Sequence, residues 1–277
     1  ILSNDCSKDN TDNIVNEMIE VHPNGNWIDY NVNYENLGTK ENFNNTLLKC
    51  KANYIALCDG DDYWTDSHKI QKQIDLLEKH KNVSLCFSKV YILNVDNKFS
   101  EYSWPNNADK AFSFENYLKN YSQIPTCSMV FRNYGENVFS FMNVFLDFTK
   151  KDYILRFFLG NKGDFAFLND NTSVYRKHEK GISQEFDSAN INKESIELNK
   201  KLNHFFNYKY DFFLGKYDQQ AYERIFLGYM QKRNVFMGFY YFFYAIKDQD
   251  KKSLTLKEIW IIVKSGIKIF IFGKIHS

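Results

Sequence analysis

Apolar residues alternate between helical and strand spacing along the first third of the chain. Ile14 and Met18 lie four residues apart within a run of this period, which predicts a helix over residues 11–19. Apolar side chains at every second position then predict a strand over residues 28–34. A second helix is expected to begin near Thr39, a suitable capping residue. The chain therefore opens with alternating helices and strands.

The alternation continues to residue 93. The short apolar run 54–58 predicts a strand buried on both faces, and it ends in the sequence Asp59-Gly60-Asp61-Asp62. A further helix and then a strand over Val83–Leu93 are expected. Strands that alternate with helices predict an α/β fold with a mostly parallel sheet flanked by helices. Beyond this part, the pattern predicts a loop entering a strand at residues 125–131.

The last third of the chain has a helical pattern. We expect an α/β domain over residues 1–183 and a helical C-terminal region over residues 184–277. The stretch 259–275 is apolar but interrupted by three lysines, and a membrane span needs ~20 mostly apolar residues, so a span is disfavoured. Two interpretations stay open: an amphipathic helix that contacts a membrane peripherally, or a terminal helix docked on the domain.

Charge and cysteine content argue against a nucleic-acid-binding protein, a disulfide-stabilised protein and a zinc protein. The 35 Lys+Arg residues nearly balance the 34 Asp+Glu residues, so no global field favours nucleic acid. The five cysteines are odd in number and include no CxxC pair, which indicates neither a disulfide framework nor a zinc site. A reducing cytoplasmic location is therefore predicted.

The acidic sequence 59–62 indicates a cation site. Three carboxylates on one turn repel one another, so a positive partner is expected. Mg²⁺ or Mn²⁺ takes oxygen ligands and keeps several waters or substrate phosphates, so one or two protein carboxylates suffice. The loop therefore predicts a diphosphate-metal site, and a solvated turn or a Ca²⁺ loop is the alternative.

A second polar loop, Asn4–Thr11, also follows a predicted strand end. Its short side chains suit helix capping or contacts to a ligand's base, and Asp9 and Thr11 fit capping best. Asp5 is the better ligand candidate, because a carboxylate accepts hydrogen bonds from a uracil nitrogen or from ribose hydroxyls.

The polar loop resembles the "DDxSxDxT" loop of family 2 glycosyltransferases. The resemblance continues over five further segments: Asn36-Leu37-Gly38, residues 54–66, Lys69–Gln73, Lys151-Asp152-Tyr153 with Gly163, and Val174–His178. It covers about residues 1–183. It implies the GT-A fold, a Rossmann-like α/β sheet, and an inverting transfer from a nucleotide sugar.

Roles for individual residues follow from this resemblance. Asp5 would contact the uracil and Ser7 would belong to the same nucleotide site, while Asp59 would lie near the ribose or the metal. Asp61 would hold the metal that bridges the two phosphates. The remaining implied roles are the catalytic base for Asp152, a metal or diphosphate contact for His178 and Arg176, and a place beside the diphosphate for Asp62.

The sequence departs from the family pattern at two points. Asn4 stands where the family has its first Asp, and the opening strand and helix of the family are expected to be missing, since Ile1-Leu2 resembles the end of a strand. Asp152 also has a plainer interpretation as the cap of its helix.

The favoured function is a metal-dependent transferase, with Mn²⁺ or Mg²⁺, that moves a sugar from a UDP-sugar to a saccharide or lipid-linked acceptor. Family analogy places it in bacterial cell-surface polysaccharide biosynthesis, in the cytoplasm or at the inner face of the cell membrane. Two alternatives are a sugar-nucleotide nucleotidyltransferase and a non-catalytic carbohydrate-binding domain derived from the same fold.

Overall fold

The computed structural model describes residues 1–102, 110–120, 123–178, 188–247 and 256–272. The helices in these residues are α1 Thr11–Val21, α2 Gly38–Lys49, α3 Lys69–Lys79, α4 Phe114–Lys119, α5 Glu136–Val144, α6 Lys151–Lys162, α7 Ser188–Phe205, α8 Asp211–Gln231, α9 Val235–Lys247 and α10 Leu256–Phe272. The strands are β1 Leu2–Asn4, β2 Tyr30–Val32, β3 Tyr54–Ala56, β4 Tyr63–Trp64, β5 Val83–Leu93, β6 Phe99–Tyr102, β7 Lys110–Phe112, β8 Val130–Arg132 and β9 Asp164–Arg176.

The described strands form two sheets. β1 and β2 make a parallel pair, and a second sheet has the order β3-β8-β5-β9-β4, with β6 on β5 and β7 on β9. The expectation of a mostly parallel sheet is wrong for this second sheet, because β5–β9 is its parallel pair and the other described pairings are antiparallel. The length of the chain that connects two strands explains whether they pair parallel or antiparallel. The short turn at 94–98 forces an antiparallel hairpin, whereas helices cross between β5 and β9.

Strand β3 is shorter and less buried than expected. It covers Tyr54–Ala56 rather than residues 54–58, and within it Ile55 alone is fully buried. In the order of its sheet β3 stands at one end, with β8 beside it. A strand at this position leaves part of its side chains at the surface, so the prediction of burial on both faces is wrong.

The sheet core is apolar, and α3 packs against it. Leu77 of α3 clusters with buried residues of β5, β8 and β9, among them Val83, Val130 and Ala166. On α6, Gly160 permits close packing, because an added Cβ would meet the ring of Phe114 at 2.2 Å. Burial of this apolar surface is the main favourable term that holds helices onto the sheet.

The chain divides into two compact units, Ile1–His178 and Glu179–Ser277. The expected boundary at 183/184 falls in residues 179–187, outside the described ones. In the second unit α7–α10 confirm the predicted helical region, and α7 and α8 share a core that includes Ile196, Tyr222 and Ile225.

Among the described residues, no helix has the length and apolar character needed to cross a membrane. Residues 273–275 of the predicted amphipathic stretch lie outside the described part of the chain. In the described part of α10, Ile261, Ile267 and Phe270 are exposed.

Candidate active site

The acidic loop is a turn between β3 and β4. The Asp62 N–H donates to the carbonyl of Asp59 at 3.0 Å, which closes the turn. Asp59 reaches solvent, whereas Asp62 is buried. The carboxylates of Asp59 and Asp62 therefore differ in whether a ligand from solvent can reach them.

Strand pairing brings the end of β9 to this loop. β4 pairs antiparallel with β9, with Tyr63 opposite Val174, so the residues just beyond Val174 lie beside the acidic turn. His178 Nε2 and Asp61 Oδ2 are 2.9 Å apart. Arg176 also donates from Nε to the carbonyl of Asp61. Residues more than 110 positions apart thus meet at one corner of the sheet.

Asp62 faces the protein. Its Oδ1 accepts the Arg176 backbone N–H at 2.9 Å, and its Oδ2 is buried without a hydrogen-bond partner among the described residues. Burial raises the pKa of Asp62, and the hydrogen bond from the Arg176 N–H lowers it. Asp62 therefore ties the acidic turn to β9.

Asp59 lies among other carboxylates. Burial of the carboxyl and, after it, the charges of Asp62, Asp61 and Asp152 together raise the pKa of Asp59 to about 6, against a hydrogen bond from Thr126 that lowers it. The charge of Asp152 acts on Asp59 although the two residues belong to separate elements. A cation or a positively charged group beside Asp59 would relieve this repulsion.

Asp5 is held in a fixed orientation. Its Oδ1 accepts the Leu37 N–H at 2.8 Å and the Asn33 Nδ2–H at 2.9 Å, and Asn36 Nδ2 donates to its carbonyl at 3.1 Å. Ser7 is exposed next to it, and its N–H donates to Asn4 Oδ1. The segment 33–37 thus orients Asp5.

The structure explains the departure at Asn4. This buried side chain donates from Nδ2 to Asp12 Oδ1 at 2.7 Å and lies 3.0 Å from the Tyr30 hydroxyl. An aspartate at position 4 would place a second carboxylate against Asp12 instead of a donor. The amide is therefore the residue that this pocket accepts.

Asp152 lies in the first turn of α6, whose capping position is Lys150, so it is not the helix cap. Arg156, one turn later, donates to Asp152 Oδ2 at 2.9 Å. The guanidinium is buried and also donates to the carbonyl of Ile124 at 3.1 Å. This partner fixes the direction of the Asp152 carboxylate.

Three site contacts were missed by sequence reasoning. The Thr126 side chain lies close enough to Asp59 to lower its pKa, and no local pattern reports such a contact. Lys151 directly precedes Asp152, and its position next to a candidate base was a usable signal. Trp64, half-exposed after the acidic turn, donates from Nε1 to the Cys127 carbonyl at 3.1 Å. The Nζ of Lys69 lies 5.2 Å from the centre of the Trp64 ring.

Comparison with known proteins agrees with this arrangement. The family profile described as Glycosyl transferase family 2 matches residues 1–139, half of the chain. The chain belongs to glycosyl transferase family 2. The α/β sheet flanked by helices, followed by a helical C-terminal region, is consistent with the GT-A fold expected of this family. Asp152, Arg176 and His178 lie beyond the matched residues.

Relatives in mycobacteria are similar over a longer stretch. An uncharacterized protein of Mycobacterium bovis and two of Mycobacterium tuberculosis are each 29% identical over 187 residues, which is 66% of this chain. The match covers 51% of each relative. The chain therefore spans about half the length of the curated relatives it matches.

A divalent metal is the cofactor that family 2 membership suggests. In the part of the chain that the structure describes, no group of three or more His, Cys, Asp or Glu side chains could hold a metal alone. Asp61 and His178 offer an oxygen and a nitrogen 2.9 Å apart, and both side chains are 44% exposed. Two such ligands fit an ion that is otherwise coordinated by water and substrate phosphates.

Proposed function

We propose that residues 1–183 form the catalytic domain of an inverting glycosyltransferase, which moves a sugar from a UDP-sugar to a hydroxyl of a saccharide or lipid-linked acceptor. The observation that carries the proposal is the contact of the acidic turn with the end of β9, where His178 Nε2 lies 2.9 Å from Asp61 Oδ2 and Arg176 donates to the Asp61 carbonyl. The charge of Asp152, which raises the pKa of Asp59, supports a base on the same side of the domain. A donor site and a base are the two parts that such a transfer needs.

On the donor side, Asp5 would accept a hydrogen bond from the uracil, with Ser7 beside it and Asp59 near the ribose. Asp61 and His178 would hold Mn²⁺ or Mg²⁺. A metal bound to the diphosphate stabilises the negative charge that develops on the leaving group. Arg176 contributes a positive side chain beside the Asp61 carbonyl.

On the acceptor side, Asp152 would act as the general base. The acceptor oxygen forms a bond to the anomeric carbon, and its proton passes to the Asp152 carboxylate. The bond from that carbon to the diphosphate oxygen breaks, and its electron pair leaves with UDP. One base without a covalent nucleophile implies a single displacement, hence inversion at the anomeric carbon.

The setting is proposed by analogy with the family: bacterial cell-surface polysaccharide synthesis at the inner face of the membrane. Peripheral contact through residues 259–275 is supported by exposed Ile261, Ile267 and Phe270 on a helix that also carries Lys264 and Lys268. Co-sedimentation with anionic vesicles tests this contact. If a Phe270→Ser variant sediments with the vesicles as well as the wild type does, the proposed membrane contact is wrong.

The transferase proposal is tested by thermal shift with UDP, with and without Mn²⁺. We expect UDP to raise the Tm only when Mn²⁺ is present, because a bound ligand stabilises the folded state. Asp61→Ala should abolish the rise. Asp96→Ala is the matched control, since it removes an exposed carboxylate in the β5–β6 turn and should respond as the wild type does.

Two results would contradict the proposal. If UDP and Mn²⁺ leave the Tm of the cooperatively folding wild type unchanged, the donor site fails and a carbohydrate-binding role moves ahead. If Asp61→Ala keeps the full response, the metal position fails.

A further inference from the structure

Two lysines reach across the candidate active site in opposite directions. Lys40, in the first turn of α2, donates from Nζ to the carbonyl of Asp147 at 2.7 Å. Lys151, the first residue of α6, donates from Nζ to the carbonyl of Thr39. Each lysine belongs to one element and bonds to the backbone of the other side. This lysine clasp, Lys40 with Lys151, therefore holds the start of α2 against the segment that leads into α6.

The clasp joins the two halves of the candidate site. On one side Leu37, whose N–H is bonded to Asp5, lies two residues before Thr39. On the other side Asp152 directly follows Lys151. A displacement of Thr39 or of Lys151 is thus transmitted through very few backbone bonds to Asp5, the proposed uracil ligand, or to Asp152, the proposed base.

The surroundings of Lys151 favour retention of its bond. The side chain is half-buried, and its Nζ lies over the Phe43 ring, 5.3 Å from the ring centre. Burial lowers the pKa of Lys151 to about 8, against the charges of Asp59 and Asp152, which raise it. Less water competes for a partly buried ammonium, and its charge offsets part of the carboxylate repulsion in the site.

A third bond runs from α2 to α5. Asn44 Nδ2, on the next turn of α2, donates to Asn143 Oδ1 of α5 at 2.9 Å. Asn44 is buried, so this contact is shielded from solvent. Thr39, Lys40 and Asn44 of α2 are consequently each bonded to the 143–151 segment.

We infer that the lysine clasp couples occupancy of the nucleotide pocket at Asp5 to the position of Asp152, with Lys151 as a positioning residue. The inference rests on the proposed function, because the coupling needs a nucleotide at Asp5. Binding that immobilises the Asp5 pocket then also stabilises the first turn of α6, and the coupling is reciprocal.

Amide hydrogen exchange with and without UDP and Mn²⁺ tests the coupling. In the wild type, UDP should slow exchange of residues 36–40 and also of residues 154–157, by at least about threefold in each segment. In Lys151→Met, which keeps the apolar stem over Phe43 but loses the donor, the effect on 36–40 should remain and the effect on 154–157 should disappear.

Three further variants make the test specific. Lys151→Arg keeps a cationic donor and should restore the effect on residues 154–157. Lys40→Met breaks the other bond of the clasp and should also lose that effect, which preserves the test if Lys151→Met does not fold. Lys79→Met removes an exposed lysine from the last turn of α3 and should behave as the wild type.

The outcomes separate the inference from the proposed function. If UDP slows neither segment of the wild type, the donor site fails and the clasp fails with it. If UDP slows residues 36–40 but not 154–157, or if Lys151→Met and Lys40→Met keep the effect on 154–157, the clasp is overturned and the donor site stands.

Discussion

Asp61 and Asp152 each contact a basic side chain at 2.9 Å, yet the two pairs have opposite surroundings. The partner of Asp61 is His178, and both side chains are 44% exposed. The partner of Asp152 is Arg156, whose side chain is 2% exposed, while Asp152 is 29% exposed. An exposed pair contributes only ~0–1 kcal/mol and exchanges partners easily, whereas the buried guanidinium of Arg156 would lose its compensating charge if it separated from Asp152. The first pair can therefore open for a ligand, and the second keeps the Asp152 carboxylate in one direction.

The largest expected effect comes from neutralising the fixed carboxylate. Asp152→Asn should lower turnover of any UDP-sugar used by the wild type by ~10²–10⁴-fold, because the acceptor proton loses its base. UDP binding in the presence of Mn²⁺ should stay within about twofold of the wild type, since Asp152 is not a donor-site ligand. Released UDP and calorimetric binding measure the two quantities. The control is Asp164→Asn at the start of β9, just beyond the far end of α6. Equal turnover in both variants would contradict the role of Asp152.

Removal of the buried partner should chiefly affect folding. Arg156→Met leaves the Asp152 carboxylate and the Ile124 carbonyl without their donor, and we expect a loss of ~2–4 kcal/mol in the free energy of unfolding. Urea unfolding measures it. For His178→Ala we expect the free energy of unfolding to change by at most ~0.5 kcal/mol, because the Asp61–His178 pair is exposed. Similar losses in the two variants would show that the two pairs do not differ in this way.

The exposed partner should instead affect ligand binding. His178→Ala removes one of the two proposed metal ligands, and the UDP affinity in the presence of Mn²⁺ should fall by roughly tenfold. UDP titrations at several Mn²⁺ concentrations distinguish a lost metal ligand, which excess Mn²⁺ offsets, from a lost nucleotide contact. An unchanged titration would assign His178 to the surface of the turn.

The smallest expected effect is a pH dependence of stability that comes from Lys69, a buried lysine of α3. Lys69 is 1% exposed, its Nζ donates to Gln73 and to the Ser128 carbonyl, and burial lowers its pKa to about 8. The unfolded chain has the ordinary lysine pKa of ~10.4 and so binds more protons between those two values. The free energy of unfolding therefore rises with pH across this window.

Lys69→Met lacks that contribution. The Tm of the wild type relative to Lys69→Met should consequently increase by a few degrees between pH 7 and pH 9.5. Thermal melts of both proteins at the two pH values measure it. Parallel shifts of the two Tm values would show that Lys69 is not the titrating group.

Local patterns in the sequence predicted much of the fold, and long-range pairing accounts for the rest. The bounds of β5 agree with the prediction over Val83–Leu93, because eleven consecutive residues carry a continuous strand signal. The direction of pairing in the sheet was wrong, since a strand pattern says nothing about which neighbour it meets. Family resemblance brought Asp61 and His178 forward as candidates for one metal site, and β4–β9 pairing brings them together.

The contacts that orient the candidate residues were not predictable in the same way. Arg156 lies one turn after Asp152, but apolar residues surround it in the sequence, and nothing there indicates that its guanidinium turns back to the helix start. Thr126 reaches Asp59 from a 3₁₀ turn in a region without a clear period. Such contacts depend on how the elements pack, which the local pattern does not contain.

The place of Trp64 has an optical consequence. Its indole N–H is fixed to the Cys127 carbonyl, and its 40% exposed ring comes two residues after the second of the adjacent aspartates. Of the four tryptophans, Trp27, Trp104 and Trp260 can be replaced by phenylalanine, which leaves one emitter beside the acidic turn. The emission of that variant would report in real time when a molecule enters or leaves this corner of the sheet, without any added label.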